Sequence, residues 1–199
     1  MTEEAGLVAR AVRGDRAAFE ALVVSRQKKV FWTAFQVVGN EEDARDISQQ
    51  VFIRLWKALP RYQARWRFDT WLYRITVNLA IDAYRRQQVR PEVRNHGLQE
   101  PAPVRAKGEP EEAYRRAEVQ RIFLRLARRL PAQQRAVFVL REMQDLDMEQ
   151  IATIMAISPS TARNHLHQAR KVLRRGLASL YPEYLPGTPG KSGARGDGR

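Results

Sequence analysis

The chain has 199 residues, 44% of them apolar, and a net charge of +13 from 35 Lys and Arg against 22 Asp and Glu. It has no cysteine, which excludes a disulfide framework, a thiolate metal site and a cysteine nucleophile. No apolar run approaches the ~20 residues of a membrane span, and the acidic N-terminus differs from a secretory signal. We therefore expect a cytoplasmic protein without membrane insertion.

The positive charge is divided between two segments. Residues 1–90 hold 16 basic and 10 acidic residues, residues 91–117 hold 5 and 5, and residues 118–199 hold 14 and 7. The middle segment has four prolines and two glycines without a sustained apolar period, which is typical of a linker. We predict domains over residues 1–88 and 118–181, a linker over 89–117 and a disordered tail over 182–199. The charge indicates a polyanionic partner, with nucleic acid as the first candidate.

Helix-capping residues divide residues 1–88 into four helices, and no alternation typical of strands is present. Three helices start after side chains that can accept hydrogen bonds from a first turn and stop at glycine or proline. The start signals are Thr2, Asp15 and Asn40 with Asp43, and the stop signals are Gly14, Gly39 and Pro60. The fourth helix is WLYRITVNLAIDAYRR, whose predicted core face comprises Leu72, Ile75, Leu79 and Ala83.

Basic and aromatic residues surround the start of this fourth helix. The preceding loop contains Arg61, Tyr62, Arg65, Trp66, Arg67 and Phe68. On the helix, one polar and aromatic face lies opposite the core stripe and comprises Trp71, Arg74, Asn78, Asp82 and Arg85. Phe68 and Trp71 can be surface residues of this face or ordinary core aromatics.

The second domain also divides into helices, so the predicted fold is all-α with two small bundles. A helix starts at about Glu118, and the next starts with Pro131 and runs to about Met143. Asp147 and Gln150 form a capping box before MEQIATIM. Ser158 followed by Pro159 then starts a last helix, which runs toward Leu177.

The last two helices have the pattern of a helix-turn-helix, the most specific signal in the chain. The turn is AIS, and the second helix has a buried stripe at Ala162, Leu166, Ala169 and Leu173. From Gln150 to Pro182 there is no Asp or Glu, which suits a helix lying against phosphates. Its opposite face carries Ser160, Thr161, Arg163, Asn164, His167, Lys171 and Arg174. Arg163 can pair with guanine and Asn164 with adenine, so we predict duplex DNA binding in the major groove. The alternative is a solvated basic face on an ordinary helix hairpin.

Three motifs in order resemble the sigma-70 family of RNA polymerase sigma factors. DARDISQQVFIRLWKAL resembles region 2.2, FDTWLYRITVNLAIDAYRR resembles regions 2.3 and 2.4, and LPAQQRAVFVLREMQDLDMEQIATIMAISPSTARNHLHQARKVLRR resembles region 4. The resemblance covers roughly residues 6–88 and 112–180. Since there is no room for a third module between these two, the chain resembles the compact extracytoplasmic function (ECF) group. It implies a subunit of RNA polymerase that binds the −35 promoter element through region 4 and opens the −10 element through region 2.

The resemblance also implies roles for the region 2 residues. An opened −10 element needs a place for an unstacked base, with aromatic and hydrogen-bonding groups beside a basic track. Asn78 and the aromatic loop would recognise the displaced base, and the arginines would hold phosphates. The implied −10 contacts are Arg61, Tyr62, Arg65, Trp66, Arg67, Trp71, Arg74, Asn78 and Arg85. The 27 residues of the middle segment, 91–117, reach about 90 Å when extended at ~3.3 Å per residue, enough to join two separated elements.

Core polymerase is the implied protein partner. Asp46, Gln49 and Gln50 match the segment that docks on the coiled coil of the β′ subunit, and region 4 would meet the β flap. An anti-sigma factor, common in this family, is a further possible partner. The chain departs from the family pattern at Gln50, where Glu is usual, at Asp145, where Gly is common, and at Asn164-His165, where Ser-Arg or Ser-Lys is common. Asp tolerates the left-handed conformation that such a turn requires.

Three other protein classes are alternatives to a sigma factor. A response-regulator type of transcription factor needs a receiver domain with parallel strands, which residues 1–90 do not predict. An enzyme acting on nucleic acid needs a carboxylate cluster, a metal site or an activated nucleophile. The acidic residues instead lie mainly at helix starts, so we expect no catalytic residue, metal or cofactor. A nonspecific basic helical protein stays open, and it would bind DNA without polymerase and without regard to sequence.

Overall fold

Eight α-helices form the described part of a computed structural model of the chain, which covers residues 3–62, 67–89 and 110–184. No strand occurs within these ranges, as the all-α prediction requires. Short 3-10 turns follow α3 at Leu59–Arg61 and α8 at Pro182–Tyr184. The helices are α1 (Glu3–Val12), α2 (Arg16–Val38), α3 (Glu41–Ala58), α4 (Phe68–Val89), α5 (Pro110–Ala127), α6 (Ala132–Glu142), α7 (Met148–Met155) and α8 (Pro159–Leu180).

The predicted capping residues lie at the ends of the helices in the N-terminal half. Asp15 accepts a hydrogen bond from the Ala18 N–H at 3.0 Å, and Asn40 accepts one from the Asp43 N–H at 2.7 Å. Gly39 ends α2 in the left-handed region, with φ of +85°, where a side chain would be strained. Since α3 begins directly after Asn40, these two residues set the tight corner between α2 and α3.

The start of α5 differs from the prediction. The helix expected from about Glu118 begins at Pro110, so residues 110–117, which we had assigned to the linker, are helical. Proline suits the first position of a helix, which is the position that Pro110 holds. Apolar residues at helical spacing begin only at Val119. For this reason the sequence pattern predicts a start of α5 that is too late in the chain. The other domain boundaries remain predictions.

Each half of the chain buries the apolar stripe that its sequence predicts. In the N-terminal bundle, α1 to α4, the predicted stripe of α4 is buried at Leu72, Leu79 and Ala83, with Ile75 partly buried. In the C-terminal bundle, α5 to α8, the stripe of α8 is buried throughout. Among the residues that the structure describes, no helix is long and apolar enough to cross a membrane.

The two bundles lie directly against each other, which the sequence did not predict. Helices α6 and α7 of the C-terminal bundle contact α2 and α4 of the N-terminal bundle. The Tyr73 hydroxyl donates to Gln144 Oε1 at 2.8 Å, and the Tyr84 hydroxyl lies 3.3 Å from the carbonyl oxygens of Arg128 and Leu130. Burial raises the pKa of the Tyr73 hydroxyl, so this group remains a neutral donor.

A buried arginine stands at the centre of this interface. Arg135 on α6 is only 1% exposed, and its Nε donates to the carbonyl oxygen of Gln36 at 2.8 Å. Its guanidinium lies 4.9 Å from the centre of the Tyr84 ring, and burial lowers its pKa. The Gln36 carbonyl belongs to the last turn of α2, where helix carbonyls lack helical partners and the dipole favours a cation.

The hydrogen-bonding groups of the Arg135 guanidinium are only partly paired. Among the described residues, Arg135 Nη2 and Gln36 Oε1 are both buried without a hydrogen-bond partner. An orphaned buried polar group costs about 1–3 kcal/mol. The interface between the bundles therefore combines specific hydrogen bonds with a desolvation cost that the isolated bundles would not bear.

Candidate nucleic-acid interface

The helix-turn-helix forms as the caps predict. Asp147 and Gln150 make the reciprocal capping box at the start of α7. Ser158 caps α8 by accepting a hydrogen bond from the Thr161 N–H at 3.1 Å. Between the helices, Ala156 adopts a left-handed conformation with φ of +54°, which ends α7 and turns the chain. Ala162 is fully buried at the crossing, where a small side chain lets α7 and α8 approach closely.

The outer face of α8 is free for a ligand. All seven side chains predicted to meet duplex DNA are exposed, while the stripe that packs on α6 and α7 is buried. The exposed residues are Ser160, Thr161, Arg163, Asn164, His167, Lys171 and Arg174. Alternation of buried and exposed positions along one helix thus presents a polar, basic surface on a rigid support.

Two arginines of α8 are held by acidic residues that the sequence analysis did not connect to them. Arg163 Nη2 lies 3.1 Å from Glu149 Oε1, with both side chains more than half exposed. Arg170 similarly pairs with Glu142. An exposed ion pair contributes only about 0–1 kcal/mol, so guanine or phosphate can displace Glu149 from Arg163 at little cost. These pairs join different helices, and the helix crossing that creates them has no signal in the local sequence.

Removing the cap of α8 should destabilise the module that carries these side chains. Ser158→Ala leaves the Thr161 N–H without its acceptor, so we expect a loss of about 1 kcal/mol in the free energy of unfolding. Urea unfolding of the full chain measures this loss. Ser179→Ala is the matched control, since it makes the same change at an exposed position late in the same helix. Equal losses in the two variants would contradict the capping role.

The polar face of α4 is exposed although the rest of this helix is buried. Arg74, Asn78, Asp82 and Arg85 are exposed, in the spacing that the sequence predicts for a single face. Neighbouring positions such as Tyr73, Val77 and Tyr84 are buried against α2, α3 or the C-terminal bundle. The structure therefore leaves one strip of α4 available for a ligand.

An aromatic cluster lies at the N-terminal end of this strip. Phe68 is 5% exposed and is thus a core residue, which decides between its two alternatives. Trp71 is partly buried, and its ring centre lies 5.1 Å from that of Tyr62 and 6.3 Å from that of Phe68. Trp71 therefore joins the core on one side and the exposed strip on the other. Arg61 and Arg67 are exposed nearby, whereas Arg65 and Trp66 lie outside the described residues.

The predicted polymerase-docking residues share one exposed face of α3. Asp46, Gln49 and Gln50 are exposed, while Ala44, Ile47, Val51 and Leu55 are buried on the opposite side. Ile53, which is 53% exposed, lies one turn after Gln49 and Gln50 and adds an apolar residue that the sequence analysis did not assign to this face. Exposed apolar and polar side chains together suit a protein contact.

Asp145 adopts the left-handed backbone conformation that the predicted turn requires. Its φ is +51°, in the left-handed region. Asp is among the few residues other than glycine that enter this region readily. The turn between α6 and α7 therefore forms with Asp in place of Gly.

Comparison with known proteins assigns both halves of the chain. Residues 22–90 match the family model of sigma-70 region 2, and residues 120–173 match that of sigma-70 region 4. The RNA polymerase sigma-H factor of Pseudomonas aeruginosa is 30% identical over 183 residues, which cover 89% of this chain and 95% of that protein. The ECF RNA polymerase sigma factor SigW of Bacillus subtilis is 31% identical over 174 residues, which cover 84% of this chain and 93% of that protein.

The fold is similar to that of a solved complex. The sigma factor RpoE of Bartonella quintana, in complex with the anti-sigma factor NepR, matches with a TM-score of 0.61 and 18% identity. The match covers 80% of this chain and 96% of that one. At this identity the likeness establishes the shared fold.

Proposed function

Since the chain belongs to the ECF group of the sigma-70 family and is a sigma factor that directs RNA polymerase to promoters, we propose which of its faces meets each promoter element. The outer face of α8 binds the −35 element as duplex DNA. The exposed strip of α4, with the aromatic cluster at its N-terminal end, binds the −10 element and stabilises its opened form. Promoter recognition is thus divided between the two bundles.

The observation that carries this assignment is the pairing of base-contacting chemistry with exposure on two helices. Arg163 and Asn164 can each bond a base edge in pairs, and both are exposed on the second helix of a helix-turn-helix. Asn78 is exposed on α4 between the partly buried Trp71 and the exposed Arg85. Spread along the strip, an aromatic ring, an amide and a guanidinium can stack an unpaired base, bond a base edge and hold a phosphate of successive nucleotides.

The exposed face of α3 is the proposed contact site for a protein partner. We place core RNA polymerase on α3 at Asp46, Gln49 and Gln50, through the β′ coiled coil, and on the C-terminal bundle through the β flap. Gln50 retains hydrogen-bonding capacity without the charge that the family usually has there. An anti-sigma factor is also a proposed partner, supported by the fold that this chain shares with RpoE bound to NepR.

The proposed activity is recruitment and opening, with chemistry left to the polymerase. The side chains on the two faces serve hydrogen bonding, stacking and charge neutralisation, and the role needs no cofactor. Because RNA polymerase works on the chromosome, we place the protein in the bacterial cytoplasm.

Reconstitution tests the function directly. The chain is combined with core RNA polymerase, the holoenzyme is given genomic DNA, and the 5′ ends of the transcripts are sequenced. We expect starts that share a two-part upstream sequence and that are absent with core polymerase alone. Starts indistinguishable from those of core polymerase would reject sequence-specific initiation and favour the nonspecific basic protein.

A further inference from the structure

We propose that a basic cavity between α4, α6 and α8 is a binding site for a small phosphorylated ligand, namely a nucleotide with two or more phosphate groups. The cavity has a volume of about 590 Å³, within the ~300–1,000 Å³ that small-molecule sites usually have. Its walls are the C-terminal end of α4, the turn between α5 and α6 with the first turn of α6, and α8 at His165.

The charged groups that line the cavity are all basic. Arg85, Arg128 and Arg129 contribute three guanidinium groups, and His165 contributes an imidazole. In the part of the chain that the structure describes, none of the three arginines pairs with a carboxylate, in contrast to the two paired arginines of α8. Like charges that lie together repel one another, and an anion bound between them removes this repulsion. Because a guanidinium bonds phosphate oxygens in pairs, the three arginines favour a ligand with several phosphates.

The start of α6 adds neutral donors to the same cavity. Pro131 precedes α6 without a side-chain cap, and the first three residues of the helix, Ala132, Gln133 and Gln134, line the cavity. The N–H groups of a first helical turn have no partner within the helix, and the helix dipole places partial positive charge there. Both properties suit phosphate oxygens. The helix start therefore supports the same ligand chemistry as the arginines.

The remaining lining residues favour a nucleotide over inorganic phosphate. The side-chain amides of Gln88, Gln133 and Gln134 offer donors and acceptors, which are the groups that the edge of a nucleobase can pair with. Apolar atoms of Val89 and Pro131 lie in the same walls and can contact the face of the base. A cavity that combines cationic, amide and apolar groups matches the three parts of a nucleotide better than it matches a bare anion.

Calorimetry on the full-length chain tests the ligand class. ATP, GTP, inorganic triphosphate and adenosine are titrated without magnesium at about 0.15 M salt, which screens attraction to exposed charges beyond about 8 Å. We expect one ATP or GTP per chain, bound at least about 10-fold more tightly than inorganic triphosphate, because only a nucleotide also bonds the amides. Adenosine, which lacks phosphate, should show no measurable binding.

Paired double variants separate the cavity from the general positive charge of the chain. Arg128→Ala with Arg129→Ala removes two of the three guanidiniums, and both residues are exposed, so the fold should be kept. We expect this variant to bind the nucleotide about 10- to 100-fold more weakly. Arg86→Ala with Arg175→Ala is the matched control, since it removes the same charge from exposed positions outside the cavity lining. The control should bind within about 2-fold of wild type, and circular dichroism checks that both variants keep their helix content.

Nuclear magnetic resonance locates the bound nucleotide. The backbone amide signals of Gln133 and Gln134 should shift when ATP is added to the 15N-labelled chain, because their N–H groups then bond phosphate. The proposal is overturned if inorganic triphosphate binds as tightly as the nucleotides, if the two double variants lose equal affinity, or if the shifted amides lie on the outer face of α8 instead. None of these measurements contains promoter DNA or polymerase, so their failure is distinct from failure of the promoter assignment.

Discussion

Arg163→Ala and Asn164→Ala should each weaken recognition of the −35 element by about 1–3 kcal/mol, or about 5- to 150-fold. Each change removes a side chain that can make two hydrogen bonds to one base edge, and both residues are exposed on the second helix of the helix-turn-helix. Run-off transcription by the reconstituted holoenzyme, on promoters with single substitutions in the −35 element, measures the loss. The discrimination should fall at one base position for each variant.

Two further variants separate base reading from charge. Arg175→Ala removes the same charge from an exposed position of α8 outside the predicted contact set, and it should reduce binding uniformly across −35 sequences if at all. Glu149→Gln removes the charged partner of Arg163 and should leave −35 recognition unchanged or slightly stronger. The reason is that Arg163 no longer has to break an ion pair before it binds the base. Wild-type discrimination in Arg163→Ala and Asn164→Ala would refute the assignment of α8 as the recognition helix.

Asn78→Ala should impair opening of the −10 element far more than binding of the closed promoter. The side chain is exposed on the free strip of α4, where its amide can bond the edge of a displaced base. Loss of these bonds should reduce the opened complex by about 1–3 kcal/mol, or about 5- to 150-fold. Permanganate reactivity of thymines in the −10 element reports opening, and footprinting of the −35 element reports duplex binding in the same reactions.

The control for Asn78 is Gln88→Ala, which removes an exposed amide ten residues further along the same helix, beyond Arg85 at the end of the polar strip. Gln88→Ala should keep wild-type permanganate reactivity. Equal permanganate reactivity in Asn78→Ala and wild type would count against a base contact. If protection of the −35 element fell as much as the permanganate reactivity did, the variant would have lost its fold instead.

The local architecture was readable from the chain because its signals act over three or four residues. Asp15, Asn40, Asp147 and Ser158 each cap the helix that follows them, and each accepts its bond from a residue three positions on. The polar strip of α4 and the outer face of α8 follow from helical periodicity alone. Where the pattern was weak, at the apolar-poor start of α5, the prediction placed the helix eight residues late, at Glu118 instead of Pro110.

The amino-acid sequence by itself thus determined the helices, their buried stripes and the two exposed polar faces to which we assign DNA binding. Capping side chains and the i, i+4 repeat act within a single helix, so the local sequence is enough to predict them. Only the tertiary structure decided how the bundles meet. Arg135 and Gln36 are 99 positions apart, and Tyr73 and Gln144 are 71 apart. Such contacts depend on the complementarity of two finished surfaces, which no local period encodes. For the same physical reason a basic residue in an ordinary amphipathic helix, Arg135, proved to be the buried centre of the interface.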